Sequence, residues 1–426
     1  MAEPQVNHGG QPPEAERADT GSRDFRTFDA FRSPAYRSLW LNSLTFFLTQ
    51  GTQRFTFVWL VLELSDTSKA AGLVTFALGI PVFAFALPAG VLTDRFDRRL
   101  LLVGSNVAAL VVSILTAVLI WSDAMTTTWA FLLAAGIGAT MAVGMPVRNA
   151  ILPSIVPRER LLNAVVLMSI GQNVSSIAGP ALGGAVIALT GIGGAFAAQA
   201  VIYAIGLAVL APLVLPPPAP RWSESTAIGE LREGFAFIRH TRGILVLIVL
   251  LVLTGIFMLG PSGVLIPQIA KDELGSDALE ASLLFAVTGV GSLLTSLLLA
   301  TLGDVPNKGG LFISALIFGS LAFAGIGLSG EYALTMLFMF AWGLCGGFFV
   351  NMNQTLIQAH TPAEIMGRVM SIHTLAFMGI GPMGALWAGV MADWIGAPQW
   401  MGVCGFVLSG LAILAILTQP SLRKMR

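Results

Sequence analysis

Charge is what this chain has least of. Asp, Glu, Lys and Arg make up 11% of its 426 residues, whereas soluble domains carry roughly 25%. With 55% hydrophobic residues and a mean hydropathy of +0.80, too little polar surface remains to solvate a water-soluble fold. A polytopic membrane protein is the class left. The formal net charge is zero, which argues against nucleic acid as a partner. Cysteine is scarce too. Cys345 and Cys404 both lie in apolar runs, so they read as packing residues and no disulfide or metal framework is expected. There is no Walker-type loop, no Ser–His–Asp arrangement and no ligand cluster, so an enzyme is disfavoured and no cofactor is expected. Residues 1–24 have no apolar stretch and read as a disordered cytoplasmic tail rather than a signal peptide.

What the chain does have is long apolar runs. A bilayer-spanning helix needs about 20 mostly apolar residues. Runs of that kind fall at 38–62, 69–92, 100–121, 127–147, 161–189 and 194–215, then at 243–268, 280–302, 309–329, 332–355, 366–391 and 398–418. The chain thus divides into a cytoplasmic tail (1–37), a six-helix bundle (38–215), a cytoplasmic linker (216–242), a second six-helix bundle (243–418) and a short basic tail (419–426). Lys and Arg settle the orientation, because basic loops stay inside. With both termini inside, twenty basic residues face the cytoplasm and only Lys69 and Lys271 face out. An odd number of spans would destroy that asymmetry.

The linker opens on Pro216-Pro217-Pro218, which ends the sixth span. Ile228, Leu231, Phe235 and Ile238 then recur at helical spacing against Glu230, Arg232, Glu233 and Arg239. That pattern is an amphipathic helix on the inner membrane surface, serving as a solvated linker or as a regulatory element. The two halves echo each other. Gly179-Pro180 answers Gly381-Pro382, and Asp94 and Arg98 answer Asp304 and Lys308. Such duplication is the architecture of transporters whose halves rock about a central site.

These residues also carry a family resemblance. Gly90-x-x-x-Asp94-Arg95-x-x-Arg98-Arg99 resembles the loop 2–3 signature of the major facilitator superfamily, with Asp97 where Gly is usual. Ser175-x-x-x-Gly179-Pro180-x-x-Gly183-Gly184 resembles the helix 5 motif of its antiporters, with Ser175 for the first Gly. Trp59–Ser68, Glu230–Arg239 and Leu265–Ala270 are similar to the bacterial efflux branch that includes enterobactin exporters and macrolide efflux proteins. The resemblance implies an all-α membrane protein, with twelve transmembrane helices in two pseudo-symmetric six-helix bundles. It also implies an exporter of amphipathic small molecules in the bacterial inner membrane, monomeric, surrounded by lipid and driven by proton antiport. A lysophospholipid or other lipid transporter is the alternative. The early Arg that many proton antiporters carry in helix 4 is absent.

In the family, Asp94 accepts hydrogen bonds from the first amides of helix 11, here near Glu364–Arg368, when the cytoplasmic side is closed. Arg148, at the inner end of helix 4, is a second partner for it. Arg95, Arg98 and Arg99 either join this latch or only fix orientation and bind anionic headgroups. Gly179, Pro180, Gly183 and Gly184 either bend helix 5 to seal the outer side or simply allow close packing.

The polar residues inside spans are few. Gln50, Gln53, Arg54 and Phe57 form an i, i+3, i+4, i+7 stripe on helix 1. A guanidinium facing lipid would cost at least about 2.5–3.5 kcal/mol, so the stripe is expected to line a watery cavity, unless Arg54 snorkels to the outer interface. Gln172 and Asn173 on helix 5 and His373 on helix 11 are placed with it as substrate-cavity residues. No carboxylate sits at mid-membrane, which leaves His373 and Glu63 as candidates to carry a proton.

Overall fold

Each apolar run becomes a helix because a bilayer core has no water to satisfy an open main chain. Polar caps then fix where the helices begin. This computed structural model describes residues 29–65, 67–213, 215, 227–302 and 305–419, without the side chains of 86–95, 158, 227, 228, 230, 231, 300 and 378. Helix α1 (Pro34–Leu64) starts on Ser33, whose hydroxyl accepts from Tyr36 N, with Pro34 in the first helical position. Then follow α2 (Ser68–Arg95), α3 (Arg98–Trp121), α4 (Thr127–Ile155) and α5 (Arg158–Leu210). The carboxylate of Asp97 caps α3, accepting from Leu100 N at 2.8 Å. A short α6 (Ala227–His240) precedes the second half. That half comprises α7 (Arg242–Thr254), a π turn (Gly255–Leu259), α8 (Gly260–Asp272), α9 (Ala278–Leu302), α10 (Lys308–Leu328), α11 (Tyr332–Ala359), α12 (Met366–Gly379), α13 (Gly381–Ile395) and α14 (Ala397–Thr418). Among the described residues there is no strand.

Among the described residues, ten segments are long and apolar enough to cross a membrane. One of them, Glu159–Leu210, has 52 residues and would measure about 78 Å if straight, against a hydrocarbon core of about 30 Å. It is two passes. The chain leaves helical geometry at Gly191 (φ 74°, ψ 175°), a conformation glycine alone adopts freely. The two arms run in opposite senses along α1. On the first arm, Tyr36 Oη donates to Ala164 O and Thr52 Oγ1 to Gly179 O, so both numbers rise together. On the second, Asn42 meets Gly206, Gln53 meets Tyr203 and Thr56 meets Gln199, so one rises as the other falls. With α1, itself 31 residues long, the described helices are long enough for twelve passes. The fifth and sixth apolar runs therefore meet at a single-residue reversal. Likewise α4 continues to Ile155 with Pro146 and Pro153 inside it, past the expected end at 147.

Within the expected tail 1–37, residues 29–37 form a short helical turn and the start of α1. Asp29 pairs with Arg160 at 2.8 Å and Ala30 N donates to Asn163 Oδ1, so the entry to α1 is docked on the start of α5. Residues 1–28, most of the expected linker (216–226) and residues 420–426 lie outside the described residues. The amphipathic helix forms as α6, and it docks on α12. Glu233 pairs with Arg368, Gly234 faces Arg368 and Ile372, and Ile238 is buried while Phe235 is exposed.

The halves meet along two seams, α2 on α13 and α5 on α9. A Cβ added at Gly72 would lie 2.8 Å from Ala385 O, and one added at Gly389 would lie 2.6 Å from Ser68 O. Gly184 faces Ala278 O and Ser282 in the same way. Only glycine lets main chains approach this closely. Two polar links reinforce this end. Asp393 accepts from Ser68 N (2.7 Å) and Lys69 N (3.2 Å), capping α2 from the opposite half, and Lys271 Nζ donates to Leu62 O near the end of α1. Toward the other end the seam between α5 and α9 parts. Ile177 still touches Gly289, but Asn173, Ile170 and Val166, successive turns on the same face, are exposed, as are Leu293, Leu294, Leu297 and Leu298 on α9. The fold is sealed at one end and splayed at the other.

Candidate substrate cavity

The splay leaves a space between the halves, and α1 forms part of its wall. Helix α1 packs against α2, α4, both arms of α5 and α8, so most of its surface is covered by protein. Its residues from Phe55 to Leu62 are all buried, yet Arg54 just beneath them is exposed and Gln50, one turn below, is half-buried. These two side chains therefore face internal space. The layer above them is aromatic. Phe55 stacks on Trp59 with centroids 5.8 Å apart and meets Phe285 of α9 edge-on at 6.2 Å, which closes the sealed end across the halves. Arg54 lies ten residues below the end of α1, or about 15 Å.

Helix α5 presents a polar stripe. Ser169, Asn173 and Ser176 are exposed and Gln172 is half-buried, at i, i+4, i+7 and i+3. The stripe turns away from the α1 contact made by Gly179 and Ser175. On α12, Thr374 is exposed, while its neighbour His373 is not. His373 Nε2 lies 3.0 Å from Asn353 Oδ1, and Asn353 Nδ2 donates to Leu247 O at 3.3 Å. Because the amide oxygen can only accept, the ring donates from Nε2 and ties α12 to α11 and α7.

Other polar side chains of the first half point inward and form a buried network. Arg148 is 1% exposed. Its Nη2 donates to Asn42 Oδ1 at 2.9 Å, its Nη1 to Gly144 O at 3.0 Å, and its guanidinium lies 3.8 Å from the ring centroid of Phe46. Asn42 Nδ2 donates onward to Asn106 Oδ1 (3.2 Å) and Gly206 O (3.1 Å). Higher up, Tyr203 Oη donates to Gln53 Oε1 (3.2 Å) and Gln199 Nε2 to Thr56 Oγ1 (3.1 Å). Gln53 is thus spent inside the bundle, and Phe57 packs edge-on against Phe196 with centroids 4.8 Å apart. The stripe expected on helix 1 therefore splits: Gln50 and Arg54 reach the cavity, and Gln53 and Phe57 are fully buried.

A family model described as "transmembrane secretion effector" matches residues 25–425. The chain belongs to this family of the major facilitator superfamily. The transporter is 24% identical over 400 residues to macrolide efflux protein A of Streptococcus pyogenes, covering 92% of this chain and 96% of that one. It is 25% identical over 402 residues to the enterobactin exporter EntS of Shigella boydii serotype 18, covering 92% and 94%. Among solved structures, the nucleoside transporter NupG superposes with a TM-score of 0.70 at 16% identity, over 92% of this chain and all of that one. The last comparison shows the fold alone. The protein is a multi-pass membrane transporter and not an enzyme.

The transporter's loop 2–3 motif is only partly visible. Helix α2 runs to Arg95, but the side chains of Gly90, Asp94 and Arg95 lie outside the described residues. Arg98 Nη1 donates to Ala150 O at 3.1 Å and Arg99 Nη2 to Ala211 O at 3.0 Å, so both tie α3 to other helices of its own half. Asp97, where a glycine is usual, has φ −58° and serves as a helix cap. In the helix 5 motif, Pro180 sits inside continuous helix, and Gly191 is where α5 leaves helical geometry. Gly179 packs on Gly51, where an added Cβ would lie 2.8 Å from Cα, Gly183 faces Thr52 and Phe55, and Gly184 faces α9. A separate recess of about 670 Å3, lined by Val305, Phe318 and Ile416 among others, lies on α10 and α14, away from these polar walls.

Proposed function

We propose that the protein is a secondary active exporter of amphipathic small molecules, working by alternating access in the bacterial inner membrane. The observation that carries this reading is the asymmetry of the cavity. One end is closed by glycine seams, main-chain caps and the Phe55–Phe285 contact, while the α5–α9 seam opens at the other with Gln50, Arg54, Gln172 and Asn173 on its walls. The basic-residue bias assigns the open end to the cytoplasm, with both termini there and the two six-helix bundles joined by the linker. This is an exporter's loading state. The names of the macrolide and enterobactin relatives support the direction.

In the opposite state the inner ends close and the outer seams part. Asp94, with Gly90, Arg95, Arg98 and Arg99 around it and Arg148 above, would latch the closed inner end against the first amides of α12. Hydrogen bonds of this kind contribute a few kcal/mol at most, which suits two states of similar energy. Proton antiport is the coupling proposed, with His373 and Glu63 as carriers. His373 is hydrogen-bonded to Asn353, and Glu63 accepts from Trp59 Nε1 at 2.8 Å. The test is efflux of fluorescent amphiphiles from proteoliposomes with and without an imposed pH gradient. Acceleration by the gradient is expected, and its loss in H373Q or E63Q would identify the carrier. Transport indifferent to the gradient would remove the antiport. A lipid substrate is the second reading, and competition by lysophospholipid in the same assay tests it.

A further inference from the structure

Two guanidiniums stand inside the spanning helices, Arg54 and Arg148. Among the described residues no carboxylate joins them. Every described Asp and Glu lies in a connection, in α6 or in a terminal turn of a helix. The two cations differ in what surrounds them. Arg148 is sealed away and engaged by Asn42, Gly144 and Phe46. Arg54 is exposed to the cavity, directly below the Phe55–Phe285 contact, with no hydrogen-bond or ion-pair partner among the described residues. Water in the open cavity can satisfy it there. A bulky substrate that fills the blind end displaces that water, and an unmatched guanidinium is then costly. The substrate must supply the missing charge. A guanidinium presents five donors in a planar fork that fits a carboxylate or phosphate through two hydrogen bonds. Gln50 one turn below and the Ser169, Gln172, Asn173 and Ser176 stripe on α5 add neutral polar contacts and no further charge.

We propose that Arg54 anchors an anionic headgroup, so that the cavity takes amphipathic anions and rejects amphipathic cations. This inference rests on the transport reading above and names its substrate class. The headgroup could come from a free organic acid or from a lysolipid, and the test separates the two. The full-length protein in lipid nanodiscs is titrated with 11-(dansylamino)undecanoic acid, with its methyl ester and with a trimethylammonium probe of the same chain length. The acid is expected to bind about ten-fold or more tightly than the ester, the span of a charge-assisted hydrogen bond, and the ammonium probe is expected to bind more weakly than either. In R54Q, checked by an unchanged melting temperature, the difference between acid and ester should collapse. R54K should keep part of it. Displacement of the acid by lysophosphatidylglycerol and not by decanoate assigns the headgroup to a lipid, and the reverse assigns it to a free acid. Equal affinity for acid and ester in the unaltered protein overturns the proposal, as does an acid preference that survives R54Q. Counterflow in proteoliposomes keeps the two readings apart. Binding preference without counterflow removes transport and leaves the site, whereas counterflow without charge preference removes the site and leaves transport.

Discussion

A guanidinium in a dry helix bundle persists only if its hydrogen bonds are supplied locally. For Arg148 that supply is Asn42, held in turn by Asn106 and Gly206. Asn42→Ala removes the acceptor and leaves the charge, so it should destabilise the detergent-purified protein by about 1–3 kcal/mol. Arg148→Met removes the charge itself and keeps apolar volume, so it should cost less. On the Arg148→Met background, Asn42→Ala should cost less, leaving only the loss of its bonds to Asn106 and Gly206. Thermal unfolding of the four proteins of this cycle measures the coupling, and simple additivity would show that the two residues do not act together. The same scale explains what the sequence could and could not reveal. A polar residue in a spanning helix must face either water or another polar residue. Gln53 and Arg54 are adjacent and equally anomalous in composition, yet Tyr203 reaches one and the cavity reaches the other. Tyr203 and Gln199 lie far along the chain in an unremarkable apolar run, so nothing local marks them as partners.

At the scale of helices the apolar runs were legible because each must cross a fixed thickness. The joints were less so. The reversal at Gly191 needs no polar loop, since a single residue at positive φ turns the chain, and the two expected runs therefore follow one another with no connecting segment between them. The inner end of α4 runs past the apolar stretch. Pro146 and Pro153 lie within α4 without ending it. The seams are set by glycine, and their position was not visible in one sequence because the chain holds 47 glycines. Gly389 is the clearest test. Valine there would push on Ser68 O and Gly72 Cα, main-chain atoms that can yield only if α2 moves from α13. An overpacked contact costs about 1–3 kcal/mol, borne only by the conformation closed at this end. In G389V, a cysteine placed at Gln50 should react faster with an impermeant maleimide added at that end. An unchanged rate would mean that this seam does not control access.

The whole molecule rocks only if the sealed end can come apart without large loss. Its two polar links join a side chain to the end of a helix in the other half. Asp393 meets the first amides of α2 and Lys271 meets a carbonyl in the last turn of α1, each matching the partial charge that a helix carries at that end. Asp393→Asn keeps the shape and discards the charge. Spin labels at Asp123 and Glu331, in sealed-end connections of the two halves, should then report a larger population at long distance than in the unaltered protein. Identical distance distributions would mean that the cap contributes nothing to closure. The two-bundle fold was readable from run lengths, duplication and the scarcity of charge. The state of the cavity was not, because open and closed forms share one sequence.

The connections at the sealed end are uniformly brief. They comprise residues 65–67, 122–126, Gly191, 273–277, 329–331 and Gly396, none longer than five residues. Among the described residues, that face therefore carries little projecting loop surface. If the chain exports as proposed, cargo leaving there would meet open solution with little loop surface around the exit.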